Sequence, residues 1–168
     1  LPPCDNWMIH VAIEQCQQGD IMVIAPTSFS EAGYFGDLLG ASLKAHGVTG
    51  VVLDAGCRDI AVLREAGFPV WSKAISAQGT VKETLGDVNI PIVCAGQIVH
   101  PGDVIVADDD GIVVVPRLQA DEIAKKSAAR EAREDQIRAR YDAGELGIDI
   151  NNMRPRLAEK GLVYKDME

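Results

Sequence analysis

Residues 36–54 read GDLLGASLKAHGVTGVVLD, and this stretch decides the fold. Its leucines lie on one helical face until Gly47 ends the helix, and residues 51–53 then form an apolar run typical of a buried strand. A similar run, IMVIA, precedes the helix at residues 21–25. A strand, a helix and a second strand at this spacing predict a βαβ unit with parallel strands.

The chain between residues 68 and 115 is predicted to be mostly β-structure. Short apolar runs indicate strands at residues 68–71, 90–94, 104–106 and 112–115. The last two runs flank the acidic segment 108–111, which we interpret as a hairpin turn, because it lacks the further ligands of a calcium loop. Together with the βαβ unit, these strands predict an α/β fold.

The sequence from residue 120 to about 143 predicts a long charged helix with a thin apolar stripe. Such a helix either lies on the surface or completes a neighbouring subunit, and we expect residues 118–168 at a subunit interface. Residues 144–168 fit an ordered extension better than a disordered one. We expect residues 1–168 to form a single domain.

The composition excludes some classes of function. The 25 acidic and 16 basic residues give a net charge of −9, which argues against nucleic-acid binding because no basic stripe is present. No apolar stretch approaches the roughly 18 residues of a membrane span. The four cysteines form no C-x-x-C pair, so a disulfide framework is not indicated and we predict a cytoplasmic protein.

Two short segments carry the candidate chemistry. Residues 36–39 begin the predicted helix, where free N–H groups and the helix dipole can hold a carboxylate. Arg58 and Asp59 follow the next strand, where a guanidinium can clamp an oxyanion and a carboxylate can bind Mg²⁺ or Mn²⁺. Each segment alone is also compatible with an ordinary helix start or a surface ion pair. Their combination at the carboxyl edge of a parallel sheet favours a ligand site.

Other reactive side chains indicate no second site. The three histidines lack the spacing of zinc ligands, so each is interpreted as structural. Cys57 has no histidine nearby in sequence, which favours a small buried thiol over a nucleophile. Lys73 and Lys82 lie in a polar stretch, where lysines are usually solvated and do not form Schiff bases.

The GDLL segment stands twenty-two positions before Arg58-Asp59, and this arrangement resembles the signature of the RraA-like family of class II pyruvate aldolases. Further segments are similar to the branch of that family that cleaves 4-carboxy-4-hydroxy-2-oxoadipate and 4-hydroxy-4-methyl-2-oxoglutarate. These segments are residues 68–71 (FPVW), 76–80 (SAQGT), 101–105 (PGDVI), 108–111 (DDDG) and 143–147 (AGELG). The likeness covers nearly the whole chain.

The resemblance implies a layered α/β/β/α fold like the swivelling phosphohistidine domain, assembled as homotrimers or hexamers with active sites between subunits. It implies that the substrate is bound by an arginine and a run of backbone N–H groups, and that one aspartate is the direct metal ligand. The substrate-binding residues would be Gly36, Asp37, Leu38, Leu39 and Arg58, and the metal ligand would be Asp59.

The resemblance also implies catalytic roles beside Arg58 for Asp37 and Glu134, the latter from an adjacent protomer, which would hold metal-bound waters. Glu131 and Asp135 lie close to Glu134, and a shift in helical register would exchange them. The family has an additional N-terminal segment before the part that aligns with Leu1, so we expect a segment to be missing here.

The implied activity is a divalent-metal-dependent retro-aldol cleavage of a small anionic 2-oxo acid, in the degradation of aromatic compounds. Oxaloacetate decarboxylation is expected as a side activity, since it passes through the same enolate. The alternative is a non-catalytic RraA-type protein that binds and inhibits ribonuclease E. Asp59 and the aldolase-type tail favour the enzyme. A phosphohistidine carrier is a third alternative, but none of the histidines lies in a glycine-rich phosphorylation loop.

Overall fold

A computed structural model describes residues 1–165. The chain divides into two compact units, Leu1–Arg117 and Leu118–Glu168, and each is described by itself. The division coincides with the predicted start of the C-terminal helix and tail at residue 118; residues 166–168 of that tail lie outside the described residues. The single domain expected for residues 1–168 stays a prediction, since one domain can contain two compact units.

The N-terminal unit contains three short helices and eight strands. The helices are α1 (Trp7–Ile13), α2 (Asp37–Ala45) and α3 (Ile60–Glu65). The strands are β1 (Ile21–Ile24), β2 (Gly33–Phe35), β3 (Gly50–Cys57), β4 (Val70–Ile75), β5 (Ile92–Cys94), β6 (Gln97–Val99), β7 (Val104–Ala107) and β8 (Ile112–Val115).

Strand β3 is the centre of a four-stranded parallel sheet. Strand β4 pairs along one of its edges, from Val51 to Cys57. On the other edge β1 pairs with residues 50–53 of β3, and β2 pairs with Gly56 and Cys57. The strands β2 and β3 are therefore parallel neighbours, and their carboxyl ends meet at one edge of the sheet.

The sheet separates two apolar layers. Alternate residues of β3, including Val51 and Leu53, pack in the larger core with the three helices, while Val52 belongs to a smaller core with Cys94 and Val99 of the hairpin β5–β6. This alternation follows from the two-residue period of a strand that is covered on both faces. The N-terminal unit thus has a helical layer, a parallel sheet and a layer of two hairpins.

The predicted α/β class is confirmed, and so is the βαβ unit. Two strands were not predicted: β6 (Gln97–Val99) and, with more consequence for the site, β2 (Gly33–Phe35). All three of its residues are buried and the strand is too short to show a period in sequence. This matters for function because β2 leads directly into α2.

The acidic segment 108–111 forms the predicted hairpin turn between β7 and β8. The N–H groups of Asp110 and Gly111 donate to Asp108 Oδ1, at 2.9 and 3.2 Å. This Asx turn explains the aspartate at the first position without any bound cation.

Asp5 is a buried carboxylate that organises the first residues of the unit. Its oxygens accept N–H groups from Trp7 at 2.9 Å and from Glu83 and Thr84 at 2.8 Å each. Burial raises the pKa of this carboxyl, but the backbone hydrogen bonds to its charged form outweigh burial, and the net pKa is lowered. Asp5 therefore joins the start of α1 to a segment far along the chain.

The C-terminal unit consists of α4 (Ala120–Asp142), α5 (Gly147–Ile150) and α6 (Arg154–Glu159). The long charged helix is where the sequence predicts it, and within the described part of the chain none of its residues is buried. Ion pairs four residues apart, Lys126–Glu122 and Arg130–Glu134, both at 2.6 Å, lie along its surface. Across residues 1–165, none of the helices combines the length and apolarity needed to cross a membrane.

Candidate functional site

Gly36 lies at the junction between β2 and α2. It is the N-cap residue of α2, and its backbone is extended, with φ −158° and ψ −170°. Within residues 1–165 no side chain caps this helix from the N-cap position. Because α2 begins directly after β2, its first N–H groups lie at the carboxyl edge of the sheet. The N-terminus of a helix attracts anions.

Arg58 and Asp59 follow the neighbouring strand β3. The Arg58 N–H donates to the Phe35 carbonyl at 2.9 Å, which extends the β2–β3 pairing by one residue. Asp59 is the N-cap of α3 and has a left-handed backbone, with φ 58° and ψ 33°. Aspartate tolerates this conformation better than most residues, and the turn directs the chain away from the sheet at once.

The two segments meet through one hydrogen bond. The Asp37 N–H, the first of α2, donates to Asp59 Oδ2 at 3.2 Å. Arg58 Nε lies 3.6 Å from the same oxygen. The structure thus brings together two predicted segments, Gly36-Asp37 and Arg58-Asp59, which are twenty-two positions apart in sequence.

A glycine at position 36 is what permits this approach. A Cβ there would lie within 3.0 Å of Asp59 Oδ2, and 3.0 Å from both Cγ and Nε of Arg58. The extended φ is accessible to any residue, so the requirement is steric and comes from the arginine and the carboxylate. Gly36 therefore makes room for the protein's own site residues.

The site is open to solvent on one side. The side chains of Arg58 and Asp59 are 41% and 37% exposed, so their ion pair contributes little to stability and the guanidinium is available to a ligand. Leu38 is 81% exposed, whereas Leu39 is buried in the core below and holds the start of α2 in place. The N–H groups of these two leucines are the next donors of the first turn.

The donor set fits a hard divalent cation. Both protein contacts of Asp59 use Oδ2, and within residues 1–165 no hydrogen bond to Oδ1 is found. Mg²⁺ commonly binds one or two carboxylates and keeps several waters. In the described chain no group of three or more His, Cys, Asp or Glu side chains forms a cage for a metal. One exposed carboxylate suits a magnesium or manganese ion whose other ligands are water and substrate.

The loop at residues 76–80 also borders the site, and the residue analysis did not single it out. The Gly33 N–H donates to the Gln78 carbonyl at 2.7 Å, and a Cβ at Gly79 would lie 3.6 Å from Arg58 Nη1. The segment SAQGT was noted only for its family likeness. Its glycine was the available signal, but a glycine in a loop has many possible causes.

Cys57 is the small buried thiol that the sequence predicts. It is fully buried, and desolvation is the main cause that raises its pKa to about 11, assisted by the Asp59 charge. At neutral pH it is a thiol, which makes a nucleophilic role chemically unsuitable.

Glu134 lies on α4 in the C-terminal unit and is exposed. Arg130 Nε donates to its Oε1 at 2.6 Å, and this hydrogen bond together with the charge of Arg130 lowers the pKa of Glu134. The residue is therefore a carboxylate at neutral pH. Its predicted contribution to a neighbouring protomer's site stays a prediction.

A helix N-terminus, an arginine and an aspartate converge at the carboxyl edge of a parallel sheet and define an α/β protein with a candidate ligand site at that edge. The chain belongs to the RraA-like family: the family model, described as Aldolase/RraA, matches residues 1–114. This confirms the family inferred from the sequence motifs.

Curated relatives of the chain include proteins that carry an aldolase name. A protein of Halalkalibacterium halodurans named "Putative 4-hydroxy-4-methyl-2-oxoglutarate aldolase" is 31% identical over 136 residues, which cover 81% of this chain and 64% of that protein. An uncharacterized protein of Methanocaldococcus jannaschii is 33% identical and is covered over 59% of its length. The chain thus spans less than two thirds of each of these relatives.

Solved structures of the family share the fold. An uncharacterized protein from Pseudomonas syringae superposes with a TM-score of 0.71 at 27% identity, over 80% of this chain and 68% of that chain. Streptomyces coelicolor RraAS2, described as an unusual member of the RNase ES inhibitor RraA family, gives a TM-score of 0.68 at 31% identity, over 79% of this chain and 68% of that chain.

Proposed function

We propose that the protein is a divalent-metal-dependent aldolase that releases pyruvate from a 4-hydroxy-2-oxo acid. The observation that carries this proposal is the contact between the first N–H of α2 and Asp59, with Arg58 beside the same carboxylate oxygen. In this proposal the helix start and Arg58 bind the anionic substrate, and Asp59 beside them would be the metal ligand. Relatives named as 4-hydroxy-4-methyl-2-oxoglutarate aldolases support the same reaction class.

Arg58 and the α2 N-terminus hold the reacting end of the substrate. The N–H groups of Leu38 and Leu39 bind the C1 carboxylate, and the exposed Arg58 guanidinium donates to the 2-oxo oxygen and the carboxylate. When the C3–C4 bond breaks, its electron pair becomes the enolate of pyruvate, with charge on the 2-oxo oxygen. Arg58 is already in position to stabilise this charge.

Asp59 would hold the divalent cation. When bound, Mg²⁺ or Mn²⁺ supplies Lewis-acid stabilisation of the enolate oxygen. The left-handed backbone of Asp59 and its hydrogen bond to Asp37 orient the carboxylate.

Proton transfer completes the reaction. The C4 hydroxyl loses its proton as the C4 carbonyl forms, and the enolate later gains a proton at C3 to give pyruvate. Asp37, and Glu134 from a neighbouring copy in a homotrimer or hexamer, are proposed to position the water that accepts the first proton. The charged state of Glu134, held by Arg130, suits this role.

The proposed substrates are 4-carboxy-4-hydroxy-2-oxoadipate, which gives pyruvate and oxaloacetate, and 4-hydroxy-4-methyl-2-oxoglutarate, which gives two pyruvates. Both arise as anionic intermediates of aromatic-compound degradation. Oxaloacetate decarboxylation is the proposed side activity, because loss of CO₂ from oxaloacetate yields the same enolate.

A second candidate is inhibition of a ribonuclease of the RNase E type. It is favoured by the likeness to RraAS2 and to the RNA-processing inhibitor RraA from Thermus thermophilis, which matches with a TM-score of 0.61 at 26% identity. A binding protein of this kind would not depend on Asp59 or Arg58. Its function would survive their substitution.

The decisive experiment measures pyruvate release from each substrate with Mg²⁺, and then with a chelator. Asp59→Asn keeps the side-chain shape and the tolerance of a left-handed backbone but removes the charge, and Asp109→Asn at an exposed hairpin turn is the matched control. We expect the chelator and Asp59→Asn to abolish turnover and Asp109→Asn to leave it intact. Undiminished turnover in both of the first two conditions would exclude the metal-dependent mechanism.

A further inference from the structure

Backbone hydrogen bonds attach the loop at residues 76–80 beside the site. The Ser76 N–H donates to the Cys57 carbonyl at 2.9 Å, and the Gln78 carbonyl accepts the Gly33 N–H at 2.7 Å. Just beyond the loop, the Val81 N–H donates to the Cys4 carbonyl at 2.9 Å. The loop is thus attached on both sides of Gly79.

Gly33 lets the loop approach this closely. A Cβ at Gly33 would lie within 3.0 Å of the Ser76 carbonyl oxygen and 3.1 Å from the Gln78 carbonyl oxygen. The loop consequently rests directly on β2, the strand that leads into the anion-binding helix. Its position relative to Arg58 is set by the sheet.

Gly79 is exposed and lies beside the Arg58 guanidinium. A Cβ at Gly79 would lie 3.6 Å from Arg58 Nη1, which is an ordinary contact, and no other atom beyond its chain neighbours would come within 4 Å. The contrast with Gly36 is informative, since a Cβ there would press on Arg58 Nε and Asp59. One glycine is thus required by packing, while the other leaves accessible volume beside the guanidinium.

We propose that Gly79 is a specificity-determining residue: its missing side chain leaves the space that the distal part of a 2-oxo acid longer than pyruvate occupies when Arg58 holds the 2-oxo end. This inference rests on the proposed function, because it assumes that Arg58 binds the substrate. The space beside Nη1 is where a substituent beyond C3 can extend without displacing protein atoms. A larger residue at position 79 then excludes long substrates before short ones.

Binding measurements test this without relying on turnover. The probes are pyruvate and 2-oxoglutarate, which share the 2-oxo acid group and differ in length, titrated calorimetrically in the presence of Mg²⁺. We expect Gly79→Val to lower the affinity for 2-oxoglutarate at least tenfold relative to that for pyruvate, and Gly79→Ala to have a smaller effect in the same direction. The matched control is Ala77→Val, which adds bulk at an exposed position of the same loop.

The outcomes separate this inference from the proposed function. Suppose that the unchanged protein binds both acids and that Gly79→Val lowers the two affinities equally or changes neither. Gly79 then does not select by length, and the inference is wrong while the proposed function stands. The inference is also wrong if Ala77→Val changes the affinity for 2-oxoglutarate relative to pyruvate as much as Gly79→Val does. If the unchanged protein binds neither acid, the proposed function and the inference fail together.

Discussion

Gly36 and Asp59 show how one residue can depend on another that is distant in sequence. The backbone of Gly36 is extended and suits any residue, yet a side chain there would collide with Asp59 and Arg58. Asp59 shows the opposite case, because its left-handed backbone restricts which residues fit, whatever the space around them. The site therefore combines one steric and one conformational requirement.

The steric requirement predicts the effect of Gly36→Ala. The added methyl group displaces Asp59 and Arg58, and we expect pyruvate release to fall about 100-fold, as for a misplacement of about 1 Å. The free energy of unfolding should fall by about 1–3 kcal/mol through overpacking. Steady-state kinetics and urea denaturation measure the two effects. Ala41→Ser, at an exposed position of α2, is the control, and full activity of Gly36→Ala would show that the contact is dispensable.

The conformational requirement predicts a difference between two substitutions of Asp59. Both Asp59→Asn and Asp59→Ala remove the proposed metal ligand, but alanine is less tolerant of φ 58°. We expect Asp59→Ala to unfold with a free energy lower by about 1 kcal/mol than that of Asp59→Asn. Chemical denaturation of the two variants tests this, and equal stabilities would mean that the turn relaxes to a different conformation.

The buried carboxylate of Asp5 predicts a dependence of stability on pH. Its pKa in the folded protein lies below the ordinary value of 3.8, so its contribution is complete above that value and is lost as the pH falls through the lower folded pKa. Asp5→Asn should therefore be less stable than the unchanged protein at pH 7, with the difference shrinking in acid. Denaturation midpoints from neutral to acidic pH measure the difference. A gap that stays constant with pH would exclude the charge of Asp5 as its cause.

Among the elements, β2 explains why the site forms where it does. It is three residues long, pairs with the end of β3 and places the start of α2 beside Arg58 and Asp59. The sequence does not reveal β2, because three positions show neither a two-residue nor a 3.6-residue period and glycines flank Tyr34-Phe35, so no longer apolar run marks the strand. The helix start and the strand end were predicted separately, and β2 is the element that brings them together.

The turn between β5 and β6 predicts how a substitution at Ala95 changes the stability of the protein. Ala95 and Gly96 both have positive φ, 48° and 82°, which is typical of the two-residue turns preferred by Asn-Gly. Ala95 also donates its N–H to Asp54 Oδ2 at 2.9 Å. We expect Ala95→Asn to raise the free energy of unfolding by about 1 kcal/mol, because asparagine tolerates the left-handed region better than alanine does.

Urea denaturation checks this turn prediction. Ala66→Asn is the matched control, since Ala66 has an ordinary helical backbone with φ −69° and should gain nothing from asparagine. A loss of stability in Ala95→Asn would mean that the new side chain disturbs the Asp54 contact.

For the whole molecule, the exposure of α4 is the feature that bears on the proposed assembly. Twenty-three residues form this helix and none is buried within the described chain. A helix of this length without a buried face gains little from packing in its own chain. This supports the proposed homo-oligomer, in which α4 carries Glu134 towards a neighbouring site.

Two measurements test the assembly: the molecular mass in solution and the activity per chain on dilution. Light scattering should give three or six times the 18.0 kDa of one chain. If Glu134 from a neighbour completes the site, activity per chain should fall on dilution below the dissociation range, and Glu134→Gln should lower turnover more than substrate binding. A fully active monomer would exclude a shared site.

Local patterns in the sequence were sufficient for the α/β class, the βαβ unit, the hairpin at 108–111 and the long charged helix. They also indicated Gly36, Arg58 and Asp59 as candidate site residues, because helix starts, strand ends and charged pairs depend on neighbouring residues; their roles stay a prediction. Tertiary structure was needed to show that Asp37 contacts Asp59, that Gly79 lies beside Arg58, and that Asp5 bonds to residues 78 and 79 positions away. The physical reason is that backbone propensity acts over a few residues, whereas these contacts depend on the register of parallel strands and on the packing between layers.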